Sequence, residues 1–235
     1  MSTILSIDTS TPACSVALNV NGVILEDFRM APRMHNDLIL PMVDQILSQA
    51  ELKLSQLDAI AFGRGPGSFT GLRIAAGVVQ GLAYGADLPV IPVSTLEAMV
   101  LEAYRKYQKD YWLSALDARM GEVYVGGYHV SEIDKVVTIE ALLTERVIKP
   151  ESIDTFNELY NGVGSGWIYK DILLTKVPNN LALVDENIAP RAAYIGELAH
   201  TFFKESKAVS VYEAMPSYLR DEISWEKQPL KVGKR

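Results

Sequence analysis

Apolar and polar positions alternate over residues 4–9, 14–20 and 23–28, the two-residue period of a half-buried strand, and Asn21-Gly22 between the last two runs is a hairpin signal. These thirty residues predict a three-stranded meander. The period then lengthens. Leu38, Met42, Ile46 and Ala50 recur at helical spacing, with Ile39, Val43 and Leu47 beside them, which predicts a helix over residues 35–50 with a broad buried face. Residues 58–62 read as a buried strand, 63–71 as a loop, 72–84 as a helix and 89–93 as another strand, an order that implies a parallel crossover. A polar helical stretch ending near Asp110 precedes further strands at 111–116, 122–130 and 136–139. A helix over 190–203 and a segment through Arg220 follow, and the lysine-rich residues 225–235 read as a loose tail.

The pattern restarts partway along. Leu5-Ser6-Ile7-Asp8 and Ser114-Ala115-Leu116-Asp117 each end a strand in aspartate before a short turn and another strand. Two related lobes are one explanation, and a chance likeness between two buried strands with polar ends is the other.

Composition narrows the classes. At 235 residues and 49% hydrophobic content the chain can bury a large core. It has no apolar run of membrane-spanning length, and its N-terminus lacks the features of a secretory signal, so a cytoplasmic protein is expected. A single cysteine, Cys14, excludes an internal disulfide framework and reads as a small buried strand residue. The three histidines, His35, His129 and His200, never stand four apart, so no helical pair can chelate a metal. A formal charge of −7 repels phosphate backbones, so contact with nucleic acid would need a local patch or a partner.

Three constellations could carry chemistry. The run Gly63-Arg64-Gly65-Pro66-Gly67-Ser68-Phe69-Thr70-Gly71-Leu72-Arg73 could cradle a phosphate or carboxylate at a helix start, or be a tight strand-to-helix turn; it has neither Walker nor dinucleotide spacing. Asp8, followed by the hydroxyls of Thr9, Ser10 and Thr11, could hold a metal-bound water beside a phosphate, or bond its own turn. Asp117 near Arg119 has the same two readings. In the following helix Gly77, Gly81 and Gly85 lie four apart beside Ile74, Val78 and Leu82, a bare stripe suited to close packing against the protein's own sheet or against another subunit. No nucleophile elbow appears, and Gly162-Val163-Gly164-Ser165-Gly166-Trp167 reads as a loop after a short strand.

Ile7-Asp8-Thr9-Ser10, the Gly63–Arg73 loop, Pro92-Val93-Ser94-Thr95-Leu96, Leu116-Asp117-Ala118-Arg119 and Pro216-Ser217-Tyr218-Leu219-Arg220 together resemble the TsaB (YeaZ) family over nearly the whole chain. The resemblance implies an α/β, two-lobed actin-like fold (ASKHA, RNase H-like), each lobe a mixed β-sheet flanked by helices. It suggests an N-terminal lobe over 1–105, a C-terminal lobe over 106–221 and a tail over 222–235. It further implies a non-catalytic partner of TsaD, the subunit that transfers threonylcarbamoyl (t6A) to adenosine 37 of tRNAs reading codons that begin with adenine. The partner would act with the ATPase TsaE, could pair with itself, and would meet tRNA only through the complex. TsaD holds its metal with paired helical histidines; these are missing here, so no catalytic residue, metal or cofactor is carried over. The actin-like phosphate turn is Asp-x-Gly, whereas Asp8-Thr9-Ser10 lacks the glycine, leaving Asp8, Thr9, Ser10, Gly65, Gly67 and Asp117 as weak nucleotide candidates. The expected partner surface is Leu38, Met42, Ile46, Ile74, Gly77, Val78, Gly81, Leu82 and Gly85. The competing expectation is an ATPase or a metallopeptidase-like enzyme of the same fold.

Overall fold

A computed structural model describes residues 2–20, 22–134, 136–153, 159–176 and 183–220. Asn21 of the hairpin signal and the expected tail lie outside the described residues. The opening meander is β1 (Thr3–Asp8), β2 (Ala13–Val20) and β3 (Val23–Met30), paired antiparallel. After α1 (His35–Gln49), strand β4 (Ala59–Gly65) joins β1 in parallel, and β5 (Val90–Ser94) joins β4 in parallel across α2 (Phe69–Ala86). The sheet order is β3-β2-β1-β4-β5.

The second half repeats that order strand for strand. After α3 (Thr95–Tyr107), the strands β6 (Tyr111–Arg119), β7 (Glu122–Ile133) and β8 (Val136–Ile148) form an antiparallel meander. β9 (Asn161–Val163) then pairs in parallel with β6, and β10 (Val184–Asp185) in parallel with β9. Read from the meander edge, this sheet runs β8-β7-β6-β9-β10, the same topology as the first. Shared strand order carries the two-lobe reading much further than the short repeated tetrapeptide did.

Alternation along the strands divides the molecule into five layers. Leu5, Ile7, Val16, Leu18, Ile60 and Phe62 face outward under α1 and α2, packed with Met42, Ile46, Ala75 and Val79. Ile4, Ala61, Ile91 and Val93 face inward against α3 and α5 (Ala192–Lys204). The other side of α3 presents Leu96, Met99, Val100 and Ala103 to Trp112, Tyr128 and Val130 of the second sheet. Beyond that sheet, Trp167 covers Leu113, Val123 and Val125, aided by Gly162, whose absent side chain leaves room for the indole. The one-turn α4 (Lys170–Leu173) adds Leu173 to the same outer cluster.

Several elements differ from the sequence expectation, each for a physical reason. The stretch before Asp110 is not a polar helix: α3 lies between two sheets and buries eight residues. α2 begins at Phe69 rather than 72 because Ser68, in extended backbone, caps it. β8 runs to Ile148, past the expected 139, because it lies at the sheet edge and mixes exposed with half-buried positions, so it carries little hydrophobic signal. α5 packs on β1, β2, β4 and β5 of the first sheet, although its residues follow the whole second sheet in the chain. Its first amides donate to side chains of that sheet, Ala192 N to Ser15 Oγ at 2.7 Å and Ala193 N to a Glu26 carboxylate oxygen at 3.1 Å.

Because α3 serves both cores, Leu101→Ala and Met99→Ala should each lower stability by about 2–5 kcal/mol, read as a shift of the urea midpoint at unchanged slope. Hydrogen exchange should accelerate in both sheets for each variant; acceleration confined to one sheet would contradict a shared middle layer.

Candidate functional site

The carboxyl end of β1 delivers Asp8, Thr9 and Ser10 to the crossover from β4 into α2. All three are buried. Asp8 Oδ1 accepts from the Ser10 amide at 3.0 Å and from the Ser10 hydroxyl at 2.8 Å, the side-chain-to-backbone turn typical of a short acid ending a strand. Thr9 Oγ1 donates to the Gly71 carbonyl at 2.7 Å, and the Ser68 amide donates to the Ser10 carbonyl at 2.7 Å.

The glycines explain how the two segments come so close. A side chain at Gly71 would fall on the Thr9 carbonyl, one at Gly67 would lie 2.7 Å from the Ser10 carbonyl, and one at Gly63 would fall on Asp8 Oδ2. The space a glycine-rich loop could offer to a phosphate is here filled by the chain's own turn. Sequence left open whether the loop is a cradle or a tight turn; the structure shows backbone packed on backbone. Among the nucleotide candidates, Asp8, Thr9, Ser10, Gly65 and Gly67 are brought together at this junction. Asp117 is not: it is exposed on β6, where its Oδ1 accepts from the Arg119 amide at 2.9 Å, the same turn that Asp8 makes with Ser10.

Asp8 carries one unpartnered oxygen. Oδ2 is buried against Gly63, with no hydrogen bond among the described residues. Burial therefore pushes the carboxyl up to about 7, with the two Ser10 hydrogen bonds opposing the shift. Beside this junction lies a polar knot between the lobes that the sequence reading missed. Glu145 of β8 accepts from Ser94 Oγ, from Tyr128 OH at 3.0 Å, and pairs with Arg64 at 3.5 Å. Ser94 also caps α3, accepting from the amides of Leu96 and Glu97 at 3.2 and 3.3 Å. Glu97 is pushed up to about 7 by burial first and by the Glu145 charge second. Ser94-Thr95 ahead of a helix was the available signal; Glu145 had none, since it falls in the unpredicted half of β8. Among the described residues no group of three His, Cys, Asp or Glu is placed to hold a metal ion.

The expected partner surface separates into three sets. Met42 and Ile46 are 0% and 1% exposed inside the outer core, so both belong to the fold and not to a surface; helical spacing alone does not distinguish the inward face from its margin. Leu38, Ile74, Val78 and Leu82 are half-buried at that margin. Gly77, Gly81 and Gly85 are exposed, and a side chain at any of them would meet no atom of the described residues within 4 Å. The stripe does not pack against the protein's own sheet.

Known proteins give this geometry a setting. The family model described as TsaD: tRNA N6-adenosine threonylcarbamoyltransferase matches residues 29–227. The chain is 43% identical to the tRNA threonylcarbamoyladenosine biosynthesis protein TsaB of Haemophilus influenzae, covering 97% of each chain. It is also 43% identical to the Escherichia coli protein of the same name, over 96% of this chain and 98% of that one. The solved structure of YeaZ from Pseudomonas aeruginosa superposes with a TM-score of 0.85 at 40% identity, over 93% of this chain and all of that one.

The buried acid makes a pH prediction. Asp8 binds its proton more tightly folded than unfolded, because its carboxyl rises from 3.8 to about 7. Its contribution is fully present below about pH 4 and is lost as pH rises toward 7. Asp8→Asn should therefore gain stability relative to the parent between pH 5 and pH 8, measured by urea unfolding at each pH. A difference independent of pH would show that Asp8 ionises normally. Gly71→Ala, which drives a methyl into the Thr9 carbonyl, should lower the urea midpoint at every pH.

Proposed function

The chain belongs to the TsaB family of tRNA threonylcarbamoyladenosine biosynthesis proteins, and we propose that within that pathway it acts as a non-catalytic partner that docks TsaD through the outer helices of its first lobe. The observation that carries this reading is the open glycine stripe of α2. Each glycine inside a helix costs about 1 kcal/mol relative to alanine, and nothing among the described residues recovers that cost at Gly77, Gly81 or Gly85. Close approach of a second helix would recover it. The half-buried Ile74, Val78, Leu82 and Leu38 beside the stripe, and the exposed Leu40, supply apolar surface for such a contact. Pairing with a second copy through the same face, and work alongside the ATPase TsaE, belong to the same proposal. So does a cytoplasmic location, with which the lack of a membrane-spanning helix among the described residues agrees.

A non-catalytic role is supported by how the candidate groups are used. The glycine loop is filled by residues 9–10, and Asp8 spends one oxygen on its own turn and encloses the other. An ATPase of this fold would need that carboxylate to reach a metal or a phosphate. Purified chain assayed with ATP, with Asp8→Ala as control, separates the readings: Asp8-dependent turnover would sink the non-catalytic one.

Two outcomes test the docking face. Gly77→Ala, Gly81→Ala and Gly85→Ala should each stabilise the isolated chain by up to about 1 kcal/mol, seen as a rise in thermal midpoint. Gly81→Arg should leave the fold intact yet weaken TsaD binding by about tenfold or more, a loss of about 1.4 kcal/mol, in titration calorimetry. Threonylcarbamoyl transfer reconstituted with TsaD and TsaE should require this chain and fail with the arginine variant. Unchanged binding by Gly81→Arg would remove the interface from α2.

A further inference from the structure

We infer that residues 214–220 are a latch that holds the two lobes together across the glycine loop. The segment first anchors on the first lobe. Val209 bridges Val90 at the edge of β5, Ala214 is buried in the outer core, and the Ala214 carbonyl accepts from Gln80 Nε2 of α2 at 3.0 Å. It then crosses the loop itself. The Ser217 amide donates to the Arg64 carbonyl at 2.7 Å, and Gly65, at φ +111°, leaves the room that Ser217 O needs, since a side chain there would approach it to 3.0 Å.

Three residues further on, the chain grips the second lobe. Arg220 pairs with Glu122 of β7 and donates to the Ala118 carbonyl of β6 at 3.3 Å. Between these anchors sits an exposed stack. Tyr218 lies 5.4 Å from the Phe69 ring, its hydroxyl accepts from Arg73 Nε at 3.1 Å, and the Arg73 guanidinium rests 3.7 Å above Phe69. On the opposite side of the loop Arg64 pairs with Glu145, which also accepts from Ser94 at the end of β5, and Thr95 donates to the Pro66 carbonyl; the strap supplies the matching hold.

The latch is built from partly exposed contacts. Arg220 and Glu122 are 24% and 31% exposed at their side chains, and Phe69 and Tyr218 are 44% and 41% exposed. Water competes for each of them. Such a strap can release without unfolding either lobe, which is the behaviour of a hinge restraint rather than of a core element. The inference stands on the chain alone and does not require the docking reading above.

The distance between lobes tests it. Spin labels at Gln49→Cys on α1 and Lys149→Cys after β8 report lobe separation in the full chain by pulsed electron resonance, diluted with unlabelled protein; both sites are exposed, and Cys14 is fully buried. Tyr218→Ala and Arg220→Glu should each shift the distribution to longer distance and broaden it. Tyr212→Ala, two residues before the segment and 78% exposed, should leave it unchanged. Adding Glu122→Arg to Arg220→Glu should restore the parent distribution. Distributions that superimpose on the parent in folded Tyr218→Ala and Arg220→Glu overturn the latch, and so does a shift in Arg220→Glu that the paired reversal fails to recover.

Discussion

Backbone packed directly on backbone, where Thr9 and Ser10 meet Gly67 and Gly71, is the contact around which the first lobe is arranged. A β-carbon on either glycine would push β1 away from the start of α2, and with it the aspartate that ends the strand. Peptide groups brought this close must be satisfied by one another, which the Ser68-to-Ser10 and Thr9-to-Gly71 bonds accomplish. Thr95 completes the junction by donating to the Pro66 carbonyl at 2.5 Å, tying the start of α3 to the same loop. Three elements are thus positioned by one turn.

From that junction the rest follows by layering. α3 leaves it and runs between the sheets, apolar on both sides, while α5 returns beside it from the far end of the chain. Two sheets of identical strand order are joined through α3, which packs on both. Charges at the margin reinforce the join: Arg105 of α3 reaches Glu132 of β7 at 3.1 Å and Glu197 of α5 at 2.5 Å. Glu102, on the same helix, is pushed up to about 7 by burial despite Arg191 nearby.

Strong periodicity was the part of the fold that could be read directly. The meander, α1, the β4–α2–β5 crossover and α5 all follow from hydrophobic spacing: α1 and α2 each have a wet and a dry side, and β1, β2 and β4, buried on both faces, are short apolar runs set off by turn residues. α3 misled because a helix buried on both sides carries its charges at the ends and seams. β8 misled because an edge strand needs no alternation. The pairing of Glu145 with Ser94, Tyr128 and Arg64 was invisible, since it joins residues far apart in sequence through a strand half with no pattern. At α1, spacing found the helix, but Met42 and Ile46, named for a partner surface, are kept in the protein's own core. The glycine loop was legible as a place of close approach; what approaches it could be known only once Thr9 and Ser10 were seen there.

The uncovered glycines of α2 bear on abundance as much as on assembly. A ligand that binds only the native state adds RT ln(1 + [L]/Kd) to its stability, about 2.7 kcal/mol when present at a hundredfold excess over Kd. On the docking reading proposed above, the chain's lifetime would be tied to the supply of the partner that covers this helix, and copies made in excess would be the first that proteolytic surveillance removes.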